Sequence, residues 1–332
     1  MSNPDIEAFE EISAKLTQVQ EMISRRIIGQ TQVVDETLIA ILCGGHGLLV
    51  GAPGLAKTRL VEVMGVVLGL ASNRVQFTPD LMPADILGAE VLETAADGTR
   101  AFRFIEGPIF CQLLMADEIN RASPRTQSAL LQAMQEHHVS VAGQRRDLPA
   151  PFHVLATQNP IEQEGTYPLP EAQLDRFLLQ IDVDYPDREA ERDIVLATTG
   201  IEDAQVSAVF DAEGLIAAQT GVRRMPIGEN IIELILDLVR AARPGEEASD
   251  LVNASVSWGP GPRAAQSLSL AVRARALMDG RFAPNTNDIA ALAKPILKHR
   301  MALGFAARAD GLTVDKLIST LVDQVLGKGN SA

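Results

Sequence analysis

The sequence predicts an α/β protein, a layered core around a five-stranded parallel sheet with a smaller helical domain after it. Three observations carry this. Five apolar runs, centred on Leu49, Val75, Leu114, Val154 and Leu179, alternate with helical segments, the pattern of a sheet covered by helices. One of them, Leu113-Leu114-Met115-Ala116, is apolar throughout, as a parallel strand covered on both faces is. After Asp182-Val183-Asp184-Tyr185-Pro186 strand-like runs give way to helical patterns. We therefore expect an N-terminal helix and α/β core over 1–186 and a helical domain over 187–332, in keeping with a length of 332 residues.

The elements follow in order. Phe9, Ile12, Leu16, Val19 and Ile23 recur at helical spacing and predict an amphipathic helix over Ile6 to Arg26. Ile27-Ile28-Gly29-Gln30 turns the chain into a second helix ending near Leu42. The run Leu48-Leu49-Val50 then enters Gly51-Ala52-Pro53-Gly54-Leu55-Ala56-Lys57-Thr58, and Arg59 to Met64 reads as a helix. A strand, a glycine loop and a helix start form a phosphate cradle: backbone N–H groups turn inward, Lys57 reaches the outer phosphates, and the Thr58 hydroxyl holds Mg²⁺. The plain alternative is an ordinary glycine turn. A lysine in a first helical turn opposes the helix dipole unless an anion sits there. Ala56 stands where the common loop has glycine, so the backbone there must accept a methyl group.

The strand Leu113 to Ala116 ends in Asp117-Glu118. Two adjacent carboxylates at the mouth of an apolar strand are costly to desolvate without a cation, so Asp117 is the candidate metal ligand and Glu118 the candidate to polarise an attacking water. The alternative is a solvated strand end. A helix from Ser123-Pro124 to Met134 follows, with proline tolerated in the first turn. Phe152 to Ala156 leads into Thr157-Gln158-Asn159-Pro160, which places the Asn159 amide at the same sheet edge, although Asn before Pro also forms turns.

Two hairpins interrupt the alternation. Ala89 to Ile105, with a turn at Asp97-Gly98, is one; Val139 to Pro149 is the other. Both are candidate levers on a substrate, or surface decoration. Arg176, in Glu171-Ala172-Gln173-Leu174-Asp175-Arg176-Phe177, closes a helix before the last strand. There it can serve a neighbouring subunit's phosphate or pair locally with Asp175 or Glu171. Helices are expected at Arg188 to Thr198, Glu229 to Ala241, Arg263 to Met278, Thr286 to Lys298 and Val314 to Leu326. Arg243 to Glu247 and Trp258 to Pro262 separate some of them. Arg263 opens its helix after Gly261-Pro262, another cation at a helix start, and is expected to reach a terminal phosphate from the helical domain.

Composition narrows the function. A net charge of −14 disfavours nonspecific attraction to nucleic acid or anionic membrane, although Arg121, Arg125 and Arg145-Arg146 leave room for a local basic strip. No apolar run approaches the ~20 residues of a membrane span, and the first residues lack a signal peptide's pattern. A cytoplasmic protein is expected. Cys43 and Cys111, both in apolar surroundings, read as free buried thiols.

The loop Gly51 to Thr58, Met115-Ala116-Asp117-Glu118-Ile119-Asn120-Arg121, Ala156 to Pro160 and Leu169 to Phe177 together resemble the MoxR family of AAA+ ATPases. Even Ala56 matches. The resemblance implies an AAA+ core with a helical lid. Lys57 and Thr58 become Walker A residues, Asp117 and Glu118 Walker B, Asn159 sensor 1, Arg176 the arginine finger (Arg121 being the other candidate) and Arg263 sensor 2. Ile28-Gly29 would lie against adenine, and Arg59 would join the nucleotide contacts. It further implies ATP and Mg²⁺ bound between core and lid, a homo-oligomer in the form of a hexameric ring, and a von Willebrand factor A-domain partner. The activity implied is chaperone-like remodelling of a client complex such as a metalloenzyme or a membrane assembly. The alternatives are a nucleic-acid-dependent AAA+ motor, a magnesium chelatase-like ATPase subunit or a nonhydrolysing nucleotide-gated scaffold.

Overall fold

The structure, a computed structural model, describes residues 3–94, 100–161, 165–199, 205–246 and 248–329. The helices α1 (Asn3–Ser24) and α2 (Thr31–Leu42) precede strand β1 (Gly47–Gly51), and α3 (Lys57–Val67) and β2 (Ser72–Gln76) follow. Next come α4 (Pro83–Leu87), the hairpin β3 (Gly88–Thr94) and β4 (Arg100–Glu106), β5 (Leu113–Asp117) and α5 (Pro124–Glu136). A second hairpin, β6 (His138–Val141) and β7 (Gln144–Asp147), leads to β8 (His153–Gln158), the single turn α6 (Glu171–Leu174) and β9 (Leu179–Val183). The remainder is helical: α7 (Arg188–Thr199), α8 (Ala212–Arg224), α9 (Glu229–Ala241), α10 (Asp250–Ser255), α11 (Pro262–Met278), α12 (Thr286–Leu297), α13 (Phe305–Ala309) and α14 (Val314–Gly329). Both hairpins stand where the sequence puts them; the expected turn at Asp97-Gly98 lies outside the described residues, as does Glu247.

The central sheet has the order β2-β5-β8-β1-β9, with every neighbouring pair parallel. Successive residues of its strands feed two separate cores. Leu49, Leu113, Met115, Leu155 and Ile181 pack with α1, α2, α3 and the C-terminal helices, while Leu48, Leu114, Ala116, Val154 and Ala156 pack with α4 and α5. Burial on both faces is why β5 and the centre of β8 are apolar at successive positions, whereas the edge strand β2 buries only Val75. All strand C-termini share one edge of the sheet, and the loop after β1 opens there.

The helical region differs from the sequence reading. Helices α8, α10 and α13 are not among the expected ones, and Val256–Trp258 (β10) pairs antiparallel with Ala302–Leu303 (β11) in a ribbon too short to leave a periodic trace. This region packs on α1, α2 and β9 and is tied to the core by charge. Arg300, 1% exposed, donates to Asp175 Oδ1 at 2.8 Å and to the carbonyls of Phe177 and Ile296 at 2.7 and 2.6 Å. Lys298 reaches Asp182 at 2.7 Å.

Glu36 on α2 is 6% exposed and accepts from Gln32. Burial, reinforced by Asp182 and Asp35 and opposed by Gln32, pushes its carboxyl up to about 7 from 4.5. The fold then holds this proton more tightly than the unfolded chain does, so stability is highest below the unfolded value and falls as pH rises through the folded one. The loss is on the order of 3 kcal/mol. Glu36→Gln is accordingly expected to be more stable than wild type at pH 8 and indistinguishable at pH 4, read from urea unfolding midpoints at both.

Candidate functional site

Helix α3 starts with no side-chain cap: its preceding residue, Ala56, has φ 56° and no side-chain acceptor for the N–H groups of the first turn. The methyl group is accommodated in the left-handed region, where a non-glycine residue is uncommon. Gly51 is required by close approach, because a Cβ there would stand 2.4 Å from the Val183 carbonyl oxygen of β9. Gly54, at φ 83°, has open space where a Cβ would be. The result is a loop whose amides are unobstructed, ending on a helix N-terminus. Lys57 Nζ donates to the carbonyls of Gly51 and Ala52 at 2.7 and 2.6 Å. Burial lowers its pKa, while Asp117 and Glu118 oppose that shift from across the cradle.

The two carboxylates of the β5 end are held differently. Asp117 Oδ1 accepts from the Thr157 hydroxyl at 2.6 Å, and its Oδ2 from Arg74 at 2.6 Å. Glu118 sits in the left-handed region at φ 56°, a conformation that persists only where the surroundings enforce it. Those surroundings are visible: its backbone N–H donates to Thr157 Oγ1 at 2.8 Å, and its carboxylate accepts from Gln76 at 2.7 Å and Arg121 at 3.2 Å. One hydroxyl on β8 therefore fixes both acids. Arg74, Gln76 and Thr157 are absent from the sequence assignment. Arg74 and Gln76 come from β2, two strand positions apart and so on one face; Thr157 precedes the asparagine motif directly.

Asn159 lies at the same edge, 6% exposed, with its oxygen accepting from the Ile161 N–H at 3.1 Å. Arg121, bonded to Glu118, belongs to this edge too. Beside the loop, Ile28, Ala56 and Arg59 line a cavity of about 150 Å³ whose far wall is Ile194 and Thr198 of α7. Gly29 makes this approach possible: a Cβ there would lie 2.4 Å from that of Ala190.

Arg176 and Arg263 lie elsewhere. Leu178 N–H bonds the His46 carbonyl, so Arg176 is at the N-terminal edge of the sheet, separated from the phosphate loop by the length of β1. Five residues of strand span roughly 15 Å, more than an arginine side chain bridges. Arg263 pairs with Asp175 at 3.4 Å and lines the same cavity as Arg176. Arg263 therefore does not meet the Gly51–Thr58 loop of its own chain, because the docking of α11 carries it to the opposite edge. Among the described residues Arg176 forms no ion pair with Glu171 or with Asp175, the latter being engaged by Arg263 and Arg300.

The arginines of the second hairpin have partners within the chain. Arg145 pairs with Asp147 at 2.8 Å, and Arg146 stacks 3.8 Å from the Phe104 ring centroid of the first hairpin. Both cysteines are free and buried. No helix among the described residues is long and apolar enough to cross a membrane.

Comparison with known proteins agrees with this layout. Residues 46–179 match the ATPase family associated with various cellular activities (AAA), and residues 248–321 match the AAA lid domain. The chain is 39% identical over 304 residues to Chaperone MoxR1 of Mycobacterium tuberculosis, covering 91% of this chain and 80% of that one. It is 32% identical over 313 residues to Protein MoxR of Paracoccus denitrificans, covering 87% and 89%. A solved protein from Cytophaga hutchinsonii superimposes with a TM-score of 0.88 at 35% identity, covering 95% and 96% of the two chains.

Proposed function

Since the chain belongs to the MoxR-type AAA ATPases, we propose that it binds ATP with Mg²⁺ at the Gly51–Thr58 cradle and hydrolyses it within an assembly of like subunits. The observation that carries this reading is the single Thr157 hydroxyl that holds Asp117 and fixes the backbone of Glu118 beside an uncapped helix start. The donors suit magnesium: a hydroxyl from Thr58 and a carboxylate from Asp117 are the hard oxygens of a site that leaves most coordination positions to phosphate and water. When bound, the ion would neutralise charge developing on the terminal phosphate.

The chain's own groups then take distinct parts. Backbone amides of the loop and Lys57 hold the β- and γ-phosphates, Lys57 exchanging its carbonyl partners for phosphate oxygens. Glu118, pinned by Gln76 and its own left-handed backbone, aligns and polarises the attacking water. Asn159 has its oxygen committed to Ile161, so its NH₂ is the end that meets phosphate or water. Adenine lies in the cavity between Ile28-Gly29 and α7, beside Arg59. Arg176 and Arg263, remote from this nucleotide, serve the ATP of the next protomer. Such head-to-tail contact generates a closed ring when the rotation permits, and a hexamer is the proposed form.

We place the division between core and lid near Pro186, with α7 and α8 still resting on the core. Hydrolysis shifts the lid against the sheet, and the two hairpins, tied together by Arg146 over Phe104, pass the motion to a client complex. A von Willebrand factor A-domain protein is the proposed partner, and a metalloenzyme or membrane assembly the proposed client. Lys57→Ala is expected to abolish measurable ATP uptake, a loss of roughly 100-fold or more. Calorimetry on folded protein checks it; undiminished affinity would remove the cradle from the proposal.

A further inference from the structure

We propose that Arg223, on α8, is a third guanidinium with which one protomer grips the terminal phosphates of the ATP held by the next; this rests on the trans reading of Arg176 and Arg263. The cavity at the N-terminal edge of the sheet has a volume of about 290 Å³. Its charged lining consists of Arg176, Arg223, Arg263, Arg300 and Asp175, four cations against one anion. The imbalance runs against the composition of the chain, in which 43 acidic residues face 29 Lys and Arg. Asp175 is already shared by Arg263 and Arg300. Among the described residues neither Arg176 nor Arg223 has a carboxylate within ion-pair distance. A surface cavity with an excess of guanidinium groups, on a protein that is otherwise acidic, attracts an anion from outside.

Arg223 is also held in place. One helical turn earlier on α8, the Gln219 amide donates to the Ile41 carbonyl at 2.9 Å and to His153 Nε2 at 3.0 Å. His153 in turn donates from Nδ1 to the Gly45 carbonyl at 2.9 Å, and burial keeps the ring neutral, its pKa lowered to about 4. This anchor fixes the face of α8 that Arg223 shares, since residues four apart lie one above the other. The guanidinium sits over Gly44, where a Cβ would be 3.7 Å from Nη2. The helix thus presents a preorganised fork donor, suited to phosphate, at the rim where Arg176 points. The polyanion that the chain itself cradles is at the opposite sheet edge, so stacking copies head to tail brings cavity and triphosphate together.

Arg223 is exposed, so Arg223→Ala is expected to fold with an unchanged melting temperature. Its steady-state turnover should fall roughly 10- to 100-fold, with unchanged ATP affinity of the isolated protomer and partial recovery in Arg223→Lys. Mixed with Glu118→Gln protomers, which keep every arginine, it should exceed the summed activities of the separate proteins. Wild-type turnover in Arg223→Ala beside a silent Arg176→Ala overturns the proposal and leaves the trans reading standing. Full turnover in both variants overturns the trans reading itself. Weakened assembly that is equal with and without nucleotide would mean that the cavity receives a protein carboxylate, and would also overturn the proposal.

Discussion

Glu118→Gln is expected to bind ATP as wild type does and to hydrolyse it roughly 10²–10⁴-fold more slowly, the range for loss of a positioned proton-accepting group. The geometry separates the two effects. In the proposed site, binding rests on the Gly51–Thr58 amides and Lys57, and Lys57 bonds to the Gly51 and Ala52 carbonyls and not to the Glu118 side chain. The amide of the variant can still accept from Gln76 and Arg121, and the backbone bond to Thr157 is untouched, so what disappears is the negative charge beside the water. A calorimetric titration and a single-turnover phosphate-release assay on the same preparation decide it. Turnover near wild type would take Glu118 out of its role.

Arg176→Ala is expected to lower turnover on the order of 10³-fold, the lower range for an arginine supplied to a phosphoryl-transfer site by another subunit. Its ATP affinity should not change, because the side chain lies at the wrong end of β1 to meet its own nucleotide. A mixture with Lys57→Ala protomers sharpens the test. Each protein alone is expected to hydrolyse far more slowly than wild type, yet a cradle from the first beside an arginine from the second makes a complete site, so activity should rise on mixing. Arg176→Ala protein with full activity, or a silent mixture that still assembles, would mean the arginine acts elsewhere.

Much of this was legible in the sequence because the relevant signals are local. Strands buried on both faces are apolar at successive positions, so the runs of β1, β5 and β8 stand out, and the glycines and lysine of the loop after β1 fall within eight residues. The hairpins declare themselves by alternation. Helix α8 does not: it buries only Leu215, Ala218 and Val222, and Gly214 and Gly221 interrupt its pattern. Arg74, Gln76 and Thr157 join the acids across neighbouring strands, a relation set by strand order and not by spacing along the chain. The edge at which Arg263 lies is illegible for the same reason: the bond of Arg300 to Asp175 joins residues 125 positions apart, and that docking decides which edge α11 faces.

Asp175 immediately precedes Arg176 and is clasped by two guanidiniums of the helical region. In the proposed head-to-tail assembly, a tilt of the helical part would therefore be expected to shift Arg176 as well. In the proposed assembly the same carboxylate that holds the two regions of one protomer together would also hold the arginine offered to the next.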